Sequence, residues 1–299
     1  MKKLFVNVLA LCLTATVFAE KINLKDYHKK SVLILGDSIT QRGAYVNFLE
    51  YYIQTELPDV EIDLLSVGLS GERAAESAFN RAKKIYAQKK FDLVLACYGM
   101  NDGLYHPLND ERFNAYKSGI KKLTDMATAA GAKIVFMTPT LFENKTKKKT
   151  CKPLGADAYS SKTPYVDYDK VLAEFSKHIM SLNPDNINLR AAFLAEKSKF
   201  SKNNPQFLFA GDGIHPGSLG NLIMARTIMK GLGVELADVN LNDELKRVGK
   251  DPVAKVVKKY RGARSGVWLK FSKNGNAGAL KGAEENYRKS YLEARKMVK

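Results

Sequence analysis

The chain has 299 residues, 45% of them hydrophobic and 26% charged, with a formal net charge of +17. This ordinary globular balance excludes wholesale disorder and a disulfide scaffold, and the length suits two average domains or one large α/β domain with an extension. So basic a chain attracts polyanions, which by itself says nothing about its fold.

Lys2 and Lys3 open an apolar stretch over 4–18, interrupted only by Asn7, Thr14 and Thr16. Small residues at 17 and 19 suit a signal peptidase, so residues 1–19 are predicted to be a signal peptide cleaved after Ala19. The stretch is short for a membrane span, which needs about 20 apolar residues. Leu11 stands before Cys12 where a lipoprotein signal has a small residue, which argues against lipidation. Export to the periplasm or the extracellular space is therefore expected, with no transmembrane segment after cleavage. Cleavage would leave 280 residues and, with Lys2 and Lys3 gone, a charge of +15. Cys97 and Cys151 would remain. Nothing in the sequence sets their separation, and two unpaired thiols are the simpler expectation.

Beyond the leader, apolar runs alternate with segments of helical period. The runs lie at 31–36, 60–67, 91–98 and 132–138, with a possible short fifth at 187–189. Continuous apolar runs fit strands of a parallel sheet covered on both faces. The helical segments lie at about 43–56, 72–88, 110–130 and 166–182. Such alternation predicts right-handed βαβ units in a doubly wound sheet of about five strands. In such sheets the site lies at the carboxyl ends of the strands.

Two regions break the pattern. Residues 141–165 form a long polar connection holding Lys145, Lys147, Lys148 and Lys149, either a rim over a site or a solvated insertion. From 241 to 299 there are 16 Lys and Arg against 6 Asp and Glu. The expected division is thus an α/β domain over 20–239 and a basic, partly helical extension over 240–299, with a terminal helix over 284–298. Lys255, Lys258, Lys259, Arg261 and Arg264 form its densest cluster. Trp268, the only tryptophan, either joins these cations in a binding surface or pins the extension to the core.

The strand ends carry the candidate chemistry. Ser38, in GDSIT at 36–40, stands just past the first strand, where a serine is either a nucleophile or a helix cap. Gly71, in SGE at 70–72, opens a segment whose amides can donate to an anion, or merely makes a turn. Asn101, in GMND at 99–102, can aim an amide at a developing oxyanion, or serve a turn. Asp212 and His215, in DGIHPG at 212–217, are spaced to act as orienter and base. His28, His106 and His178 are spread too widely for metal-ligand spacing. His106 stands near enough to Asn101 to reach substrate, though a plain loop histidine is the simpler reading.

These four blocks, in this order and spacing, resemble the signature of the GDSL or SGNH hydrolases over residues 31–232. The resemblance implies a flavodoxin-like three-layer α/β/α sandwich and an esterase working through an acyl-enzyme. It implies Ser38 as nucleophile, His215 as general base and Asp212 as its orienter. It implies an oxyanion hole made of the Ser38 amide, the Gly71 amide and the Asn101 side chain. It implies no metal and no organic cofactor. One position departs: Ser66 stands where many relatives have Asn, so the support of the Gly71 turn is expected to differ. The α/β-hydrolase elbow G-x-S-x-G is absent.

The family admits several substrates. Export and the polar 141–165 segment favour a short acyl group, acetyl above all, on a polysaccharide or a small-molecule ester. A lysophospholipase or lipase of the same family is one alternative. The other is a non-catalytic protein binding polyanions or the envelope through its basic extension, on a vestigial core. Nucleic acid is not an expected partner of an exported protein.

Overall fold

A computed structural model describes residues 21–298; the predicted signal peptide lies outside the described residues. Four parallel strands form the sheet: β1 (Lys30–Gly36), β2 (Ile62–Gly68), β3 (Leu93–Cys97) and β4 (Lys133–Met137), in the order β2-β1-β3-β4. The apolar runs form strands because both faces are covered, and every residue of β3 is buried. Gly36 pairs with Gly68 on one side and Cys97 on the other, so three strands end in register.

Helices cover both faces, as the resemblance implied. The four foreseen ones are α2 (Ala44–Glu56), α3 (Ala78–Gln88), α4 (Asp110–Ala129) and α5 (Tyr168–Leu182), and a short α1 (Ser38–Arg42) precedes them. α3 starts six residues later than its periodicity suggests. The intervening chain is drawn into turns: the Glu72 amide donates to Leu69 O (3.0 Å) and the Ala75 amide to Asp102 Oδ1 (3.1 Å).

The possible fifth strand is reduced to one parallel bridge, Met137 to Ile187. Asn188 already caps a helix there, accepting from the Ala191 amide at 2.9 Å. That helix, α6 (Leu189–Asn203), and α7 (Ser218–Gly231) carry no clear amphipathic period. For α7 the cause is burial on several sides, including Asn221 to Ala225; such a helix has no polar face to reveal it.

The extension consists of α8 (Leu241–Lys250), α9 (Pro252–Asn274) and α10 (Leu280–Val298). It is more helical than foreseen, and its packing corrects the view of its basic cluster. Arg261 and Arg264 are buried, leaving Lys255, Lys258 and Lys259 of that cluster exposed. α9 and α10 run beside β2, an edge strand with backbone groups that need partners. Arg264 donates to Leu64 O (3.0 Å), the Ile62 amide donates to Tyr291 Oη (3.1 Å), and Arg295 donates to Val60 O (2.9 Å). Side chains thus take the place of a further strand.

Arg264 also holds Glu284 through Nε (2.7 Å) and Nη2 (2.5 Å) and pairs with Asp63 (2.7 Å). Its guanidinium lies 3.8 Å from the centre of the Tyr287 ring. Trp268 is buried and donates to Glu284 at 2.7 Å, so it pins α9 to α10. In the 141–165 connection, Lys145 donates to Pro205 O (2.7 Å) and Lys147 to Ser161 O (3.0 Å). Cys97 and Cys151, the cysteines among the described residues, are free. No helix among the described residues is long and apolar enough to cross a membrane.

Glu50 of α2 is fully buried against the extension, where Tyr260 donates to its Oε1 at 2.9 Å. Burial, only partly offset by that bond and by Arg264 and Arg261, pushes its carboxyl up to about 7. The group keeps its proton in the folded state well above the unfolded value. Its contribution is therefore complete at low pH and is lost as pH rises through about 7. Glu50→Gln is expected to raise Tm relative to wild type more at pH 8 than at pH 5. An identical difference at both pH values, measured by calorimetry, would refute this.

Candidate active site

Each foreseen residue stands at a carboxyl end of the sheet or in a loop that returns to it. Ser38 is the first residue of α1, directly after β1, and Asp37 caps that helix by accepting from the Ile39 amide at 2.9 Å. Gly68 ends β2 against α1. A side chain there would collide with the backbone of Thr40 and Gln41, so only glycine lets the two approach. Gly71 turns the chain at φ +75°, a left-handed conformation that disfavours side chains. The turn is tied to α1, because the Ser70 amide donates to Gln41 Oε1 at 2.6 Å.

Ser38, His215 and Asp212 form one hydrogen-bonded chain. Ser38 Oγ lies 2.8 Å from His215 Nε2, and His215 Nδ1 lies 2.7 Å from Asp212 Oδ2. The other Asp212 oxygen accepts from the amides of Ile214 (3.0 Å) and His215 (2.8 Å). Burial acts to raise the Asp212 carboxyl, but these amides and the imidazole outweigh it and hold it at about 2. Asp212 is thus a carboxylate at any working pH, able to stabilise a cationic ring. Arg42 reaches within 3.9 Å of Asp212 Oδ2 from α1.

Asn101, four residues past β3, reaches Asp37, the residue before Ser38. Its Nδ2 donates to Asp37 Oδ2 (3.3 Å) and Glu72 O (3.2 Å), and Tyr105 donates to its Oδ1 (3.1 Å). Asp37, fully buried, is pushed up to about 7 by burial. Asp102 accepts from the amides of Gly99 (2.9 Å) and Ala75 (3.1 Å), tying the Asn101 loop to the loop before α3.

Beneath Gly71, the buried Glu72 carboxylate pairs with Arg81 (Nε to Oε1, 2.7 Å) and accepts from Tyr98 Oη at 2.9 Å. Arg81 in turn donates to Val67 O at 2.9 Å. No motif announced this pair, because its members are nine residues apart across a turn. Ser66 does not reach the Gly71 turn. It bonds Ser265 of α9 (3.0 Å) and accepts from Arg261 (3.1 Å), so this departure from the family pattern serves the extension.

The remaining histidines stand apart from the chain of Ser38. His28 accepts from the Glu61 amide at 3.1 Å. His178 packs edge-on to Phe113 and Tyr116. His106 lies against Tyr159, ring centres 4.9 Å apart. No group of three or more His, Cys, Asp or Glu side chains among the described residues could hold a metal ion.

The model of the GDSL-like lipase/acylhydrolase family matches residues 34–223, most of the chain and all four blocks. The chain belongs to this family. It is an ester-bond hydrolase of the SGNH type, and the match ends before the extension begins. An acetylxylan esterase from Geobacillus stearothermophilus is 23% identical over 227 residues, covering 69% of this chain and 95% of that protein. A solved structure of a catalytic mutant of an acetylxylan esterase from that organism has a TM-score of 0.53 at 20% identity, covering 72% of this chain and 100% of that one. A gut microbial diltiazem-metabolizing enzyme has the same TM-score of 0.53 at 21% identity, over 68% of this chain. The chain spans only 47% of that second protein's length. At these identities the structural likenesses establish the fold.

Arg81→Met would leave Glu72 buried without its ionic partner. It is expected to destabilise the protein by about 3–5 kcal/mol, measured by urea unfolding. A loss under about 1 kcal/mol, the range of an exposed ion pair, would show that the pair is not what holds the turn.

Proposed function

We propose that the protein removes short acyl groups, acetyl above all, from carbohydrate, through an acyl-enzyme on Ser38. The observation that carries this is the unbroken hydrogen-bonded chain from Ser38 Oγ through His215 to the ionised Asp212.

His215 Nε2 takes the Ser38 proton as Oγ attacks the ester carbonyl carbon. The carbonyl π electrons move onto oxygen, which the amides of Ser38 and Gly71 and the Asn101 side chain stabilise. As the oxyanion collapses, the bond to the leaving alcohol breaks and His215 protonates that alcohol. Water then attacks the acyl-enzyme with His215 again as base, releasing the acid and restoring Ser38. Asp212 holds the ring orientation and offsets its charge.

The acetylxylan esterase relatives and the open, polar surroundings of the site support a carbohydrate ester. The side chain of Asp212 is 46% exposed and that of His215 16%, which leaves room for a bulky alcohol. Residues 1–19 complete the reading as a signal peptide, with export of residues 20–299. A lipase reading would need a long apolar acyl channel beside Ser38, and the 141–165 segment that borders the site region is polar and basic. Contact with acidic polysaccharide would fall to Lys255, Lys258 and Lys259, the exposed members of the cluster.

The test is hydrolysis of p-nitrophenyl esters of increasing acyl length and of acetylated xylo-oligosaccharides. Acetate is expected to be preferred. Ser38→Ala is expected to lower kcat at least about 10³-fold while remaining folded, and Asp212→Asn about 10³- to 10⁴-fold. Near-wild-type turnover by Ser38→Ala would end the serine mechanism. A preference for long acyl chains would move the substrate to lipid.

A further inference from the structure

We propose that Tyr105 is a positioning residue that holds the Asn101 amide in the orientation needed to receive the oxyanion. This rests on the reading of Asn101 as an oxyanion donor.

The geometry leaves Tyr105 one role at Asn101. Both Asn101 Nδ2 contacts are acceptors, Asp37 Oδ2 and Glu72 O. The edge of the amide that faces Tyr105 is therefore its carbonyl oxygen, and the phenol at 3.1 Å must donate. Rotating the amide by half a turn would set Oδ1 against the Glu72 carbonyl oxygen, which can only accept, and point Nδ2 at the phenol. Tyr105 thus closes the network that keeps Nδ2 on the side of Asp37, the residue before Ser38, so that the N–H on Asp37 Oδ2, the longer of the two bonds, is the one exchanged for the oxyanion. Donation to Oδ1 also polarises the amide and strengthens its N–H groups as donors.

The backbone around Tyr105 is unusual. Leu104 and Tyr105 are consecutive non-glycine residues in the left-handed region, at φ +52° and +61°. Two such residues in succession cost energy, and a fold keeps them only where surrounding contacts over-determine them. Those contacts are present. The Leu104 amide donates to Asn101 O (3.0 Å) and the His106 amide to Gly103 O (3.0 Å), closing the loop on itself. Tyr105 O accepts from the Tyr165 amide at 2.8 Å, which clamps it to the end of the long basic connection. Its ring lies 4.9 Å from that of Tyr168 and 6.5 Å from that of Phe142, centre to centre. Tyr168 in turn donates to Met100 O at 2.8 Å, beside Asn101. The strained turn therefore presents one hydroxyl, on a buried ring, to one side-chain oxygen. Burial, with Asp37 and Asp212 adding to it, raises the Tyr105 phenol, so it remains a donor wherever the enzyme works.

Tyr105→Phe removes the hydroxyl and keeps the ring packing. It is expected to lower kcat on p-nitrophenyl acetate about five- to tenfold, the kinetic equivalent of one neutral hydrogen bond, with KM changed less than about twofold and Tm nearly unchanged. Asn101→Ala alone is expected to lower kcat about 10²- to 10³-fold. In the double variant Tyr105→Phe is expected to add nothing, because its partner is gone. The inference is overturned if Tyr105→Phe leaves kcat intact, or lowers it by the same factor with and without Asn101. It is also overturned if the loss merely follows a fall in Tm. If Asn101→Ala itself retains full kcat, the reading of Asn101 as oxyanion donor fails, and that outcome is separate from a failure at Tyr105.

Discussion

All four strands of the sheet are parallel, so their carboxyl ends share one rim. β1 lies between β2 and β3, and the three end in register at Gly36, Gly68 and Cys97. Ser38, Gly71 and Asn101 each follow one of these ends by only a few residues. Their convergence needs no special device beyond short loops and glycines where backbones meet. The fourth contribution, Asp212 with His215, comes from a loop far along the chain and is brought in by α7, packed on α2.

The same rim concentrates buried carboxyl groups. Asp37 and Asp102 are fully buried, and burial pushes both up to about 7. Each is spent on backbone amides: Asp37 on Ile39, Asp102 on Gly99 and Ala75. Asp212 has the opposite environment, half-exposed and ringed by donors, and is held at about 2. Acidic residues in one region thus divide into those that shape loops and one, Asp212, that stays charged beside His215. Glu72 is held differently, by its ion pair with Arg81 and the Tyr98 hydroxyl.

A parallel sheet of this size leaves β2 with one open edge, and unpaired backbone there is a liability. The extension resolves it with arginines and a tyrosine instead of a strand. Arg264, Tyr291 and Arg295 reach the edge from two helices, and Glu284 satisfies what remains of Arg264. Ser66 belongs to the same arrangement, being turned towards Arg261 and Ser265. Three of the cations that suggest a polyanion surface, Arg261, Arg264 and Arg295, are therefore interior structure. Guanidinium groups suit this task because one planar head can meet a carbonyl and a carboxylate at once.

The strands, the first helices and the four signature blocks were legible in the sequence. Their signals are local: an apolar run of strand length, a helical period, a glycine beside a polar residue. Ser38, Gly71, Asn101, Asp212 and His215 could be named for the same reason. The sequence could not place α6, which has only Leu189 and Phe193 buried, or α7, whose burial on several sides erases the period, or hold a fifth strand at 187–189 once Asn188 capped a helix. It could not show that Arg261 and Arg264 point inward, since charge is counted along a chain but burial is decided across it. Tyr105, Glu72 and Arg81 escaped notice because their roles exist only as contacts, 3.1 Å from Asn101 in one case and 2.7 Å apart in the other. Local pattern determined the elements and the candidate chemistry; tertiary packing decided which charges are partners, which helices guard the sheet edge and which hydroxyl orients the amide.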